Sequence, residues 1–223
     1  MSIPNPVRLF HITAIANLPD VFANGALLSK NSVAANGIGY ENIAHQGAQG
    51  ARAAKLVPNP PSGNVHDFIP FYFAPRSPML FAINGGRVQG CNLRQADIVH
   101  IETTIDLALA HGQPYVFYDR NATLAYSNPY TDIANLNVIS WDLITEQPQL
   151  DGYCKFWQSN ASNQRYVDRM EKRMAEFLVK SHVPLTAVTR IGVINNAKQQ
   201  EVNQILAEYN LTIPTVVMPD WYF

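Results

Sequence analysis

His66-Asp67-Phe68-Ile69-Pro70-Phe71-Tyr72-Phe73-Ala74-Pro75-Arg76-Ser77-Pro78-Met79-Leu80 is the most informative stretch of this 223-residue chain. Residues 68–74 are dense in aromatic and β-favouring side chains and read as a strand. Pro70 cannot donate to a ladder, which points to an edge strand or a strand start. Alternation lets Phe71 and Phe73 face a core while Tyr72 faces a cleft. Ser77 can cap, and Pro78 can open, a short helix through Ile83. Arg76 sits in a turn stiffened by prolines. An exposed aromatic, an arginine and a methionine in one rigid strip could stack a planar ring, either nicotinamide or a nucleobase. The plain alternative is an aromatic core strand.

Working outward, residues 7–13 alternate as a strand, with His11 and Thr13 pointing to the same side. Thr13 reads as the cap of a helix over 14–22, stopped by Asn24-Gly25. Residues 40–54 read as a helix weakened by Gly47 and Gly50. Arg52 and Lys55 share a face at its end, where an arginine fork can hold a phosphate or a developing anion. Residues 57–64 form a proline-rich loop. Strands are expected at 98–101, 115–118, 175–179, 191–194 and 214–218. Helices are expected at 104–111, 164–174 and 197–209, and residues 123–160 are irregular. Glu176 opens an apolar strand, where a lone carboxylate needs a partner or a task.

Strands and helices mix without regular βαβ alternation, so a doubly wound parallel sheet is disfavoured and one α+β domain over 1–223 is expected. The hydrophobic fraction is 47% and the charged fraction 15%, enough to bury a substantial core and to exclude a mostly disordered chain. No run approaches the roughly 18 apolar residues of a membrane span. Met1 to Arg8 shows no secretory signal. Two cysteines, Cys91 and Cys154, cannot build a disulfide scaffold or a four-cysteine zinc site, so a reducing cytoplasm is the expected address. The six histidines are scattered and no metal motif is present. Nucleotide-binding glycine loops, the serine nucleophile elbow and Cys/His pairs are likewise missing. Net charge is −1, too neutral for a non-specific polyanion binder. Basic residues prevail over 42–96 and acidic ones over 97–151, so local basic surface can still hold a short strand or a dinucleotide.

Taken together, Phe10-His11-Ile12-Thr13, Asn17-Leu18, the basic stretch around Arg52, the 66–80 strip, Phe117, Asp119-Arg120, residues 175–179 and Asp220-Trp221-Tyr222-Phe223 resemble the DarT family. These are the DNA ADP-ribosyltransferase toxins of DarT–DarG systems. The resemblance runs in order along the chain. It implies a PARP-like ADP-ribosyltransferase fold with a central split β-sheet flanked by helices. NAD+ would be a substrate and not a resident cofactor, and ADP-ribose would pass to a ring nitrogen of thymidine in single-stranded DNA, in a short sequence context. By the same resemblance Glu176 and Arg52 are catalytic. His11, Thr13, Asn17, Leu18, Tyr72 and Arg52 hold NAD+. Arg76, Met79, Lys55, Arg120 and Asn121 touch the DNA. A DarG-type macrodomain antitoxin is the implied partner. The residues themselves leave two other readings open: a transferase acting on RNA or protein, and a non-catalytic single-strand-binding module.

Overall fold

The computed structural model describes residues 3–44 and 46–223. Met1, Ser2 and His45 lie outside the described residues, and with them the start of the N-terminal reading and one position of the helix expected over 40–54. The strands are β1 (Arg8–Ala14), β2 (Ala26–Leu28), β3 (Phe68–Tyr72), β4 (Ile98–Thr104), β5 (Tyr115–Tyr118), β6 (Pro129–Tyr130), β7 (Gln149–Leu150), β8 (Tyr153–Cys154), β9 (Glu176–Lys180), β10 (His182–Pro184), β11 (Arg190–Val193) and β12 (Thr215–Val217). The α-helices are α1 (Leu18–Ala23), α2 (Lys30–Ala35), α3 (Gln46–Ala54), α4 (Pro78–Asn84), α5 (Ile105–Leu109), α6 (Trp141–Ile144), α7 (Arg169–Lys172) and α8 (Asn196–Glu208).

The apolar alternation of β1 and the aromatic density of β3 bury both strands in one eight-stranded sheet, ordered β12-β11-β4-β1-β3-β9-β5-β6. Of the neighbouring pairs only β11 and β12 run parallel. The fold is therefore α+β, a large central sheet flanked by helices, as expected. Stacked aromatic rings bind one half of the sheet: the Phe177 ring centre lies 5.3 Å from that of Tyr115 and 6.1 Å from that of Phe117, with the ring planes nearly parallel. Trp221, fully buried, closes the other half over Gly192, where any Cβ would collide with the indole.

The split in the sheet follows from register. β1 pairs with β4 at seven positions, but with β3 only through Phe10↔Tyr72. β3 instead follows β9 for five positions, down to Tyr72↔Glu176. The expectation of an edge strand or a strand start is thus corrected: β3 is interior, and Pro70 is its third residue. Pro70 is tolerated because β1 has already diverged from β3 there, so no ladder bond is owed on that side. The His11 ring spans the gap, its Nδ1 donating to the Pro70 carbonyl at 2.9 Å.

Other expectations change in detail. Thr13 is no cap, because β1 continues through Ala14 and the next turn is a short 3-10 segment, Ile15–Asn17. The helix expected over 40–54 begins at Gln46. The helix expected over 164–174 shrinks to Arg169–Lys172. The Ser77 cap stands, its Oγ accepting from Leu80 N at 3.2 Å, and Gly25 (φ 64°) ends α1 as expected. Both cysteines are free and buried. Among the described residues no helix is long and apolar enough to cross a membrane.

Candidate active site

Where β1 and β3 part, a cavity of about 360 Å³ opens, walled by β1, β3, α2, α3 and the first turn of α4. Among its lining residues is Glu176, the first residue of β9 and 1% exposed. Pairing places Glu176 beside Tyr72 on β3 and Tyr118 on β5. Burial first, and then the Glu176 charge, pushes both phenols up, Tyr118 to about 12. Both therefore stay neutral donors at pH 7.

The Glu176 carboxylate accepts from three groups. Arg52 Nη1 donates to Oε1 at 2.8 Å and to Oε2 at 3.1 Å. Asn121 Nδ2 reaches Oε1 at 3.2 Å, and the Ala122 amide reaches Oε2 at 3.3 Å. A buried ion pair is a poor stabiliser, because desolvation offsets most of its attraction. The second guanidinium nitrogen, Arg52 Nη2, is buried without a hydrogen-bond partner. An unspent donor beside a buried carboxylate is a common signature of a site awaiting substrate.

The opposite wall holds His11 and Thr13, side by side on β1. Burial lowers the His11 pKa against the opposing pull of its Pro70 hydrogen bond, so the ring is neutral. With Nδ1 donating, Nε2 is left as an acceptor. Thr13 Oγ1 accepts from Asn17 Nδ2 at 3.1 Å. Asn17 also clasps the backbone of Glu41, accepting its amide at 2.7 Å and donating to its carbonyl at 3.0 Å. That clasp holds residues 38–44, with Tyr40, along the cavity. Lys30 and His66 add cationic and imidazole character beside Arg52. Lys30 Nζ donates to Gln49 Oε1 at 2.6 Å, and burial and then the Arg52 charge lower its pKa.

Of the residues expected from sequence, His11, Thr13, Asn17, Arg52, Tyr72, Met79, Asn121 and Glu176 all line this one cavity. Four do not. Leu18 is fully buried at the start of α1, in the hydrophobic core. Lys55 lies beyond the end of α3, so it does not share a helix face with Arg52, and its Nζ donates to Leu124 O at 3.4 Å. Arg76 grips the chain terminus: Nε and Nη2 donate to the Tyr222 carbonyl at 2.8 and 2.6 Å, Nη1 donates to Lys155 O at 3.1 Å, and the guanidinium lies 4.9 Å from the Phe223 ring centre. Arg120 is ion-paired with Asp119 at 3.2 Å and Asp168 at 3.5 Å. Sequence reading passed over Lys30, Tyr40, Gln49, Thr123 and Met174 as cavity residues, and assigned His66 no task. Only His66 carried a signal, as the first residue of the informative strip. Among the described residues no cluster of His, Cys, Asp or Glu is arranged to hold a metal.

A neutral, partly apolar slot with an arginine-held carboxylate at its base suits a substrate that develops positive charge on a sugar. Comparison with known proteins points the same way. Residues 10–223 match the family described as "ssDNA thymidine ADP-ribosyltransferase, DarT". A DNA ADP-ribosyl transferase of Thermus aquaticus is 34% identical over 227 residues, spanning 100% of this chain and 92% of the relative. That of Escherichia coli O127:H6 is 29% identical, spanning 99% and 95%. Thermus sp. 2.9 DarT in complex with ADP-ribosylated single-stranded DNA superposes with a TM-score of 0.86 at 29% identity, covering 100% of this chain and 99% of that one. The same Thermus protein in complex with NAD+ gives 0.81 at 28% identity, covering each chain fully.

Proposed function

The chain belongs to the DarT family of NAD+-dependent DNA ADP-ribosyltransferases, and on that premise we propose that it joins ADP-ribose to ring nitrogen N3 of thymidine in single-stranded DNA, releasing nicotinamide. Residues 1–223 act as one transferase domain. The observation that carries the reading is the buried Glu176–Arg52 pair at the base of the cavity between the diverging strands.

Tyr72 and the neutral His11 receive the nicotinamide end of NAD+, the phenol by ring contact and the imidazole by hydrogen bonding. Thr13 and Asn17 hold the dinucleotide along β1. Leaving of nicotinamide builds oxocarbenium character at C1′ of the ribose. Glu176, oriented by three donor groups, hydrogen-bonds the ribose and stabilises that charge. Arg52 uses Nη2 on a thymine oxygen, stabilising the anion as N3 attacks. Met79 and Asn121, both at the cavity wall, border the incoming base, and Arg120 and Lys55 lie further along the DNA. Arg76 supports this surface by tethering the terminus. Base pairing hides N3, so single strands are the substrate and duplex is poor.

The protein works as a toxin in the cytoplasm, where both NAD+ and replicating DNA are found. Its partner is a DarG-type macrodomain antitoxin that removes the modification. The test is mass spectrometry of a thymidine-containing oligonucleotide after incubation with NAD+. One added ADP-ribose on the base is expected, with RNA and a protein mixture as controls. Glu176→Ala should abolish transfer while leaving NAD+ affinity within a few-fold. An active Glu176→Ala protein would overturn the assignment.

A further inference from the structure

Attack by thymine N3 requires its proton to leave, and Glu176 is poorly placed to take it. Both its oxygens already accept, four contacts from Arg52, Asn121 and the Ala122 amide. The ribose hydrogen bond already has to displace one of these donors, and taking the N3 proton as well would displace a second. A different group lines the same cavity with nothing to do. His66, only 8% exposed, sits in the 3-10 turn Val65–Asp67 that leads into β3. Its Nε2 is buried and has no hydrogen-bond partner. The turn is rigidly built: Asn64 Oδ1 accepts from the His66 amide at 2.9 Å, and Asp67 Oδ2 accepts from the Asn64 amide at 2.8 Å.

Two residues that line this cavity from adjacent elements therefore each carry an unspent buried atom, Arg52 Nη2 on α3 and His66 Nε2. One is a donor, and the other accepts in the Nδ1–H tautomer. An imide edge, with C=O next to N–H, offers the complementary pair. Cytosine presents no N–H at its ring position 3, so the same pair also disfavours that base. Building on the transferase reading above, we propose that His66 is a catalytic residue that accepts the N3 proton of thymine while Arg52 holds the neighbouring oxygen.

The step balances. The N3–H bond breaks and Nε2–H forms. The N3 electron pair closes on C1′ as the C1′–nicotinamide bond breaks, and nicotinamide departs neutral with that bond's pair. The imidazolium then returns its proton to water. The groups facing His66 are Lys30 from α2, Arg52 from α3 and Asp67 from its own turn. Burial, then Lys30 and Arg52, lower its pKa against the opposing Asp67, so the ring is free to accept at neutral pH. The same two cations hasten release of the proton afterwards.

The experiment compares wild type and His66→Gln on oligonucleotides carrying either thymine or 5-fluorouracil, whose N3–H is more acidic. His66→Gln should transfer about 10²-fold more slowly to thymine, the usual loss for a missing general base, and clearly less so to 5-fluorouracil. Above pH 6.5 its rate should climb with pH as the base ionises unaided, where wild type is flat. Added imidazole should restore part of the activity of His66→Ala, and calorimetric NAD+ binding checks that both variants are folded. A His66→Gln rate within threefold of wild type overturns the proposal. So does an equal deficit on both bases with an unchanged pH profile, which would leave His66 a packing residue only. If wild type itself modifies neither oligonucleotide, the transferase reading falls instead.

Discussion

Arg52 and Glu176 test whether a buried ion pair is kept for stability or for chemistry. Glu176 is 1% exposed and the Arg52 side chain 14%. Removing one partner strands a charge in a low-dielectric site, whereas replacing both with apolar groups of similar volume is often neutral or stabilising by about 1–4 kcal/mol. The double variant Arg52→Met/Glu176→Leu should therefore melt at or above the wild-type temperature while making no modified DNA. Thermal and urea unfolding measure this, and a loss of more than about 2 kcal/mol would assign the pair a structural duty. Arg76 gives the opposite lesson. Its position between Pro75 and Pro78 suggested an exposed hand for DNA, yet its fork is spent on carbonyls 79 and 146 residues away in sequence. No local pattern can reveal a partner that distant, whereas the need of Glu176 for a partner was legible because a carboxylate at the head of an apolar strand is costly wherever that partner lies.

At the scale of elements, strand identity was legible and strand neighbourhood was not. The composition of residues 68–74 announces a strand, but only the divergence of β1 after Phe10↔Tyr72 explains how Pro70 sits inside a sheet. The charged stretch 164–174 reads as a helix by spacing. Its first half instead turns, because Asn163 Oδ1 accepts the Arg165 amide at 3.0 Å and offers the backbone a local alternative. Arg169 then lies 3.6 Å from the Tyr166 ring centre and pairs with Glu146 at 3.2 Å, fixing a one-turn helix. The segment 38–44 is the element most exposed to a single change, because it has little secondary structure and is clasped by Asn17. Asn17→Ala removes three hydrogen bonds, each worth about 1 kcal/mol net. NAD+ affinity should fall by about tenfold or more, with a smaller effect on kcat, because the clasp orders a wall and touches no reacting bond. Titration calorimetry and proteolysis within 38–44 read this directly; an unchanged affinity would show that the segment is held by its other contacts.

For the whole molecule, the histidines couple the fold to acid. His100, on β4, is fully buried, its Nε2 donates to the Pro75 carbonyl at 2.9 Å, and Trp221 and Tyr222 pack edge-on against its ring. Burial lowers its pKa to about 4, the backbone hydrogen bond opposing. His11 and His66 shift in the same direction, each chiefly by burial. A histidine whose folded pKa lies below its unfolded value of about 6.5 binds more protons when unfolded, so stability falls as pH drops. The contribution is intact above pH 6.5 and is lost progressively towards pH 4. For His100 alone the loss is on the order of 3 kcal/mol at the acid end, since one pKa unit corresponds to about 1.4 kcal/mol. Unfolding free energy should thus be level near neutrality and decline through pH 6 and 5. The decline should be shallower in His100→Gln, even though that variant is less stable at pH 7. Parallel pH profiles for the two proteins would mean that His100 titrates freely in the fold. The Trp221 and Tyr222 terminus, anchored by Arg76 and packed over β4 and β11, would then open to solvent more readily than its burial implies.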